Sequence, residues 1–496
     1  MIPLRAAEIA AIVGGRLHHV DPGTTVTGPA EFDSRRIAPG GLFLALPGAR
    51  VDGHEFAPAA AAAGAALVLA AREVDAPCCV VAPTGRPEGN SDAYAHDPDG
   101  SGAAVLDALG ALARDLVDRL TPAGLTVIGV TGSAGKTSTK DMLATILGGA
   151  GPTVAPAGSF NNEIGHPYTV LRADARTRFL VAEMSARGVG HIAHLARIAP
   201  PRIGAVLNVG TAHLGEFGSR ETIAAAKGEL VEALPAAAAG GVAVLNADDP
   251  LVAGMAGRTA ARVVTFSAAG DPAADLRATG VVLDELARAA FTLHDGRGGA
   301  HPVRLRVHGA HQVANALAAA AVAIAAGIDP AAVARALSGH AAASAHRMDV
   351  RTRADGVTVI NDSYNANPDS MRAGIAALAR TAAARDGAAA VAVLGEMGEL
   401  GEAAVAEHRA LGAALAEAGV DALVAVGDSP AVRALAEAAA GAGITSVSAG
   451  DRPAAVRAAS RILRPGDAVL VKASYADGLW RVAEGLLDEG LQDEGA

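Results

Sequence analysis

The sequence predicts an α/β protein of three domains, and three observations lead there. A glycine-rich turn with a lysine, "TGSAGKTS" (Thr131 to Ser138), separates an apolar strand pattern from a helical one. Apolar runs of strand length then recur along the chain, each followed by an Ala-rich helical stretch, which is the pattern of parallel sheets covered by helices. The length, 496 residues, exceeds what one hydrophobic core serves, so roughly two to four domains are expected. The boundaries read as 1–110 for a mixed α/β domain, 111–343 for a central P-loop ATPase-type α/β domain and 344–496 for a Rossmann-like α/β domain.

In the first segment, "FDSRRIAPGGLFLALPGARVDGHEF" (Phe32 to Phe56) predicts a strand, a Pro-Gly-Gly turn, an alternating strand "LFLAL" and a polar loop. "RPEGNSDAYAHDPDGSG" (Arg86 to Gly102) predicts a flexible polar loop without core residues. The central segment opens with the strand Thr126 to Val130. Further strands are expected at "RFLVAEM", "IGAVLNV", "GVAVLNA" and "RVVTFS", with their carboxyl ends converging on a nucleotide. The third segment alternates "VTVIND", "AAVAVLGEM", "ALVAVGD", "ITSVS" and "AVLVKAS" with helices, giving a second doubly wound sheet. Two such lobes bind ligands in the cleft between them.

Composition narrows the function. The charge is 41 − 52 = −11, which argues against a nucleic-acid partner. Hydrophobic residues are 51% and aromatic ones 3%, so the core is aliphatic. Cys78 and Cys79 are adjacent and suggest two small buried residues rather than a disulfide framework or zinc site. The opening "MIPLRAAEIAAIVGG" is a poor signal peptide. "QVANALAAAAVAIAAGI" (Gln312 to Ile328) carries no charge, yet it is short and mostly Ala, so a buried helix is expected rather than a membrane span. A cytoplasmic monomer without stable membrane insertion is the expectation.

The turn at Thr131 to Ser138 is phosphate chemistry. Gly132 and Gly135 let backbone N–H groups approach an anion, with Ser133 between them. The helix that follows points its positive end at that anion. Lys136 adds a cation, and Thr137 and Ser138 add hydroxyls, Thr137 being placed for Mg²⁺. Val130 stands where the usual pattern has its first Gly. The loop alone does not separate ATP from GTP, or hydrolysis from transfer. Polar residues also end the strands: Glu183, Asn208, His213, Asp248 and Asp249, with Lys227 in "AAAKGEL". Together they form a candidate Mg²⁺ shell, although Asp249-Pro250 is also ordinary turn chemistry and a lone His is commonly structural. Lys227, as an amine, could give a cation nothing. "NDSYNANPDSM" (Asn361 to Met371) follows a strand and precedes a helix, which suits a turn and equally a ligand loop. "LGEMGELG" (Leu394 to Gly401) and "VKASYADG" (Val471 to Gly478), with the single cation Lys472, also follow strands.

These ordered motifs resemble the Mur ligases of peptidoglycan synthesis, in particular the MurF type, which adds D-alanyl-D-alanine. "DSRRIAPGGLFLALPG" with "DGHEF" is similar to the family's uridine-nucleotide domain, "TGSAGKTS" to its ATP loop, and "GSFNNEIGHP", "HGAHQVANALAA", "DSYNANPDSM" and "LGEMGELG" to further motifs. The resemblance implies that Lys136 and its loop hold the ATP β/γ-phosphates and that Thr137 and Glu183 bind one Mg²⁺. It implies that His213 helps bind a second, beside a carbamylated Lys227. It places Asn315 at the adenine, Arg347 and Asp362 at the nucleotide, and Ser34 and Arg35 at the UDP-sugar. Asn161 and Asn162 become the substrate loop, and Tyr364, Asn365 and Asn367 the third-domain loop that meets the amine. ATP, Mg²⁺, a UDP-muramoyl tripeptide and D-Ala-D-Ala are the implied ligands. Ser185, Ala473 and Tyr475 depart from the family pattern. Another amide ligase of the superfamily and a nucleotide-dependent switch are the rival readings.

Overall fold

The computed structural model describes residues 1–48, 51–85, 94, 96–212 and 214–492. The first domain carries a five-stranded sheet in the order Arg16–His18, Cys78–Val80, Ala65–Ala70, Gly41–Leu44, Ala30–Glu31, parallel except at Arg16–His18. The alternation in "LFLAL" separates two buried faces rather than core from water. Leu42 and Leu44 join one core, and Phe43 and Ala45 join another with Ala57 and Ala60 of the helix Ala57–Ala62. A strand with parallel neighbours on both sides is covered on both faces. The expected strand before it is shorter, Ala30–Glu31, because Ser34–Arg36 is a 3-10 turn. Asp33 starts that turn by accepting from Arg35 N, a local bond that competes with extended backbone. Cys78 and Cys79 are free and buried.

Residues 86–93 and 95 of the expected polar loop lie outside the described residues. Its far end does reach the core. Asp97 is buried and accepts from Gly102 N (2.9 Å) and Ala103 N (2.7 Å), capping the helix Ser101–Leu120. The sequence reading places no helix there. This helix passes through residue 110 without a break. Its Val105, Leu109, Leu112 and Leu116 pack with Leu42 and Leu69 of the first sheet and with Val127, Leu180 and Ile198 of the central region, in one continuous cluster.

In the central sheet Thr126–Thr131 lies between Ile203–Val206 and Phe179–Glu183, all parallel. Val242–Asn246 and Arg262–Ser267 follow outward from Ile203–Val206, as expected. Glu183 pairs in register with Val130, so its carboxylate emerges beside the phosphate loop. Three further strands, Leu276–Leu283, Arg288–His294 and Ala300–His308, extend the sheet, the last two antiparallel. They alternate buried and exposed residues and so lack the unbroken apolar runs that mark the inner strands. The uncharged helix Gln312–Ala325 is buried against the sheet and the helix Lys136–Gly148. Among the described residues no helix is long and apolar enough to cross a membrane.

The third domain holds a six-stranded sheet in the order Asp349–Thr352, Thr358–Asn361, Ala468–Lys472, Ala390–Leu394, Ala422–Val426, Thr445–Ala449. All five expected strands are present, and only the added edge strand Asp349–Thr352 is antiparallel. The order sets Ala468–Lys472 between strands far away in the chain. It thereby gathers the loops after Asn361, Leu394 and Lys472 at one end of the sheet.

Candidate active site

The phosphate loop is fixed from the side by Asn208 on the neighbouring strand end. Its Oδ1 accepts from Ala134 N (2.8 Å), its Nδ2 donates to Ala134 O (3.1 Å), and its carbonyl accepts from Ser133 N (3.1 Å). Gly135 has φ +83°, and a Cβ there would lie 2.2 Å from Asn315 Oδ1, so both conformation and space require glycine. Asn315 in turn is held by Gln312, whose Oε1 accepts from its Nδ2 at 2.9 Å. Lys136 Nζ donates to Gly132 O at 2.7 Å, curled over the loop. Loss of hydration lowers the Lys136 pKa; Glu183 pulls it back up and Arg347 pushes it further down.

A chain of polar contacts runs from that loop across the cleft. Thr137 Oγ1 is 3.0 Å from Glu183 Oε2 and 2.9 Å from Ser159 Oγ. Asn161 Nδ2 donates to Glu183 Oε1 (2.7 Å), and Ser185 Oγ donates to Asn161 O (3.0 Å). Arg347 closes the chain by donating to Ser159 Oγ at 2.7 Å. These hydroxyl and carboxylate oxygens, gathered beside a phosphate seat, suit a hard divalent cation. Among the described residues no group of three or more His, Cys, Asp or Glu is arranged to hold a metal. Ser159 is the one contact here that the sequence reading does not single out; a serine before Phe160 carries no distinguishing signal.

The opposite wall belongs to the third domain. Arg347 lies over the Tyr364 ring at 4.1 Å, and Tyr364 is 5.3 Å from Tyr475. Asn365 Oδ1 accepts from Ala366 N, and Asn367 caps the helix Pro368–Ala383 by accepting from Ser370 N. Thr211 N donates to Asp369 Oδ2 across the interface (3.0 Å), and Arg187 pairs with Glu399 of the "LGEMGELG" loop. Between the walls lies a cleft of ≈ 730 Å³ lined by Gly135, Lys136, Thr137, Ser138, Asn161, Asn162, Glu183, Asn315, Arg347, Asp362, Tyr364, Asn365 and Asn367. These candidate residues of the central and third segments, remote in sequence, are thus brought to one space, whereas Lys227 is not among the residues that line it.

Comparison with known proteins agrees with this layout. The profile described as Mur ligase family, catalytic domain, matches residues 31–115, the Mur ligase middle domain matches 130–323, and the Mur ligase, glutamate ligase domain, matches 346–475. The UDP-N-acetylmuramoyl-tripeptide–D-alanyl-D-alanine ligase of Mycobacterium tuberculosis is 54% identical over 98% of both chains. The chain belongs to the Mur ligase family. Among solved structures, MurF from Acinetobacter baumannii superposes with a TM-score of 0.83 at 30% identity, covering 98% of this chain and 99% of that one. The MurF ligase of Thermotoga maritima in complex with ADP gives 0.74 at 28% identity, covering 94% and 99%.

Other candidates in this Mur ligase sit differently. Lys227, in the helix Arg220–Glu232, is 3% exposed and has no hydrogen-bond or ion-pair partner among the described residues. Glu229 and Glu232, which could have paired with it, are engaged elsewhere, Glu229 by Ala193 N (2.9 Å) and Glu232 by Arg258 (2.8 Å). Burial lowers the Lys227 pKa far below the usual lysine range, and the charge of Lys136 lowers it further. His213 lies outside the described residues. Asp248 and Asp249 are corrected from metal shell to turn chemistry. Asp249 accepts from Val209, Leu251 and Val252 N, and Asp248 accepts from Ser267 Oγ and Ala268 N. Ser34 and Arg35 do not line the cleft; Arg35 is 86% exposed and pairs with Asp33 on the first domain.

Proposed function

We propose that this Mur ligase joins D-alanyl-D-alanine to a UDP-N-acetylmuramoyl tripeptide at the expense of ATP, in peptidoglycan precursor synthesis. The observation that carries the reading is 54% identity, over 98% of both chains, to a ligase of that name. The cleft supplies the chemistry. Lys136 and the N–H groups of the phosphate loop cradle the nucleotide phosphates, and Asn315 faces the base. Asn161 and Asn162 orient the tripeptide, whose UDP-sugar end rests on the first domain near Ser34 and Arg35. The tripeptide carboxylate attacks the γ-phosphorus, giving an acyl phosphate and ADP. The dipeptide amine, held near Tyr364, Asn365 and Asn367, attacks the acyl carbon, and inorganic phosphate leaves. Lys136 and Arg347 neutralise charge that grows on the transferred group. Contact between the central and third domains excludes water that would hydrolyse the acyl phosphate.

Thr137 and Glu183 would hold one Mg²⁺, which when bound polarises phosphate oxygens. For a second site we propose Lys227 as a carbamate, with His213. A neutral, unpaired amine is the form that adds CO₂, losing one proton and gaining two oxygens and a negative charge. The product reverses the repulsion from Lys136 and suits a cation. The domains are proposed as UDP-sugar binding up to the helix Ser101–Leu120, whose unbroken course spans the expected boundary at residue 110, then ATP binding up to residue 343 and ligation over 344–496. We place the enzyme in the cytoplasm, where ATP and UDP-sugars are met, and as a monomer.

The test is a screen of ATP and UDP-muramoyl tripeptide against a panel of amines and dipeptides, with products read by mass spectrometry. Product with D-Ala-D-Ala is expected; product with a single amino acid and none with D-Ala-D-Ala would overturn the reading. With an ¹⁸O-labelled tripeptide carboxylate, one labelled oxygen should appear in the released phosphate.

A further inference from the structure

Lys472 ends the strand Ala468–Lys472 and is 2% exposed, at the floor of the third-domain wall. Its ammonium has three donors. They meet Asp362 Oδ2 at 2.6 Å, Asp362 O at 3.2 Å and Asn365 O at 2.7 Å. With every proton placed on the protein, Lys472 acts through those partners rather than on a ligand.

The partners lead across the cleft. Asp362 Oδ1 accepts from Met348 N at 3.1 Å, and Tyr364 N donates to His346 O at 3.0 Å. Between those two anchor points sits Arg347, stacked on Tyr364 and bonded to Ser159. His346 has φ 60° and Met348 φ 50°, left-handed conformations that residues with side chains rarely adopt. Such backbone persists only where its surroundings hold it. Here the segment Asp362–Asn365 supplies two of the holding bonds, beside Asn361 and the Trp480 ring at His346, and Lys472 holds that segment.

We propose that Lys472 is a positioning residue that couples the two ligand sites: it fixes the amine-side loop and, through Asp362 and Tyr364, the linker that carries Arg347 to the nucleotide. The proposal rests on the ligase reading above. It differs from a role in binding either ligand, because it requires both sites to weaken together when one ammonium is removed.

The test compares Lys472→Met with the double variant Lys472→Met/Asp362→Asn, which removes the half-buried carboxylate the single variant would leave without its ammonium. KM for ATP, D-Ala-D-Ala and the UDP-tripeptide is measured for each, with ADP affinity by calorimetry. Both variants should raise the KM for ATP and for D-Ala-D-Ala by on the order of tenfold or more, weaken ADP to a similar degree, and leave the UDP-tripeptide KM within about twofold. A drop in kcat with all three KM values unchanged would mark a merely structural lysine and overturn the proposal. A rise in one KM alone would mark a direct contact and also overturn it. If the wild-type enzyme makes no product with D-Ala-D-Ala, the ligase reading fails, and the ADP affinities still decide whether Lys472 controls the nucleotide side.

Discussion

On the central-domain side of the cleft, ligand groups are presented largely by backbone. The phosphate loop is locked by Asn208 to its amides, and Gly135 leaves no room for a side chain. On the third-domain side, the same task falls to side chains held by other side chains. Arg347 stands on a left-handed linker, Tyr364 stacks beneath it, and Lys472 pins the segment below. A backbone cradle keeps its shape when a ligand-facing side chain such as Lys136 is cut while Asn208 still holds the loop, so such variants should lose chemistry while the fold survives. A side-chain scaffold loses alignment in proportion to what is removed, so its variants should show first in KM.

The sharpest test of this contrast is Lys136→Ala, which should cut turnover by on the order of a thousandfold with an unchanged melting temperature. Near-normal turnover in the folded variant would break the assignment of the cradle. Lys227→Ala should cost on the order of a hundredfold, with part returned by short carboxylic acids that occupy the vacated anionic position; full activity would rule out the carbamate. Asn365→Ala, on the other wall, should raise the dipeptide KM by about tenfold and leave ATP binding alone. An equal rise for ATP would show that Asn365 serves the nucleotide as well as the amine.

A fourth test uses acid. His166 is 1% exposed, and burial lowers its pKa to about 4 from an ordinary 6.5. Between those values the unfolded chain holds the proton more readily than the folded one, so this residue's contribution to stability falls as pH drops from about 6.5 and is fully lost below about 4. His166→Gln should therefore move the midpoint of acid unfolding to lower pH, followed by circular dichroism. The smallest effect belongs to Arg35→Ala. Its guanidinium is exposed, so the melting temperature should not change, and only the KM for the UDP-tripeptide should rise.

The cradle was legible in the sequence because its signal is local: strand, glycines, lysine and helix lie within Thr126 to Leu143. The inner strands were legible for the same reason, as short unbroken apolar runs. The hairpin strands from Leu276 to His308 were not, because half of each faces water and the alternation resembles a polar linker. The helix Ser101–Leu120 was masked by the polar run before it, whose Asp97 turns out to be its cap. Lys472 read only as a cation after an apolar strand. Its meaning depends on the order of strands in the third sheet, which puts Asp362 and Asn365 beside it from more than a hundred residues away.

The helix Ser101–Leu120 also governs how this architecture can be recombined. Because it ties the first sheet and the central strands into one apolar cluster, a chimera joined near residue 110 must rematch Leu42, Leu69, Leu109, Val127 and Leu180 across the graft, or open cavities between foreign surfaces. A graft near residue 344 meets a different boundary, crossed by Arg347–Ser159, Thr211–Asp369 and Arg187–Glu399. Polar pairs of that kind are transplanted by copying a few side chains. The third domain is therefore the exchangeable module, and the first two travel as one inherited unit.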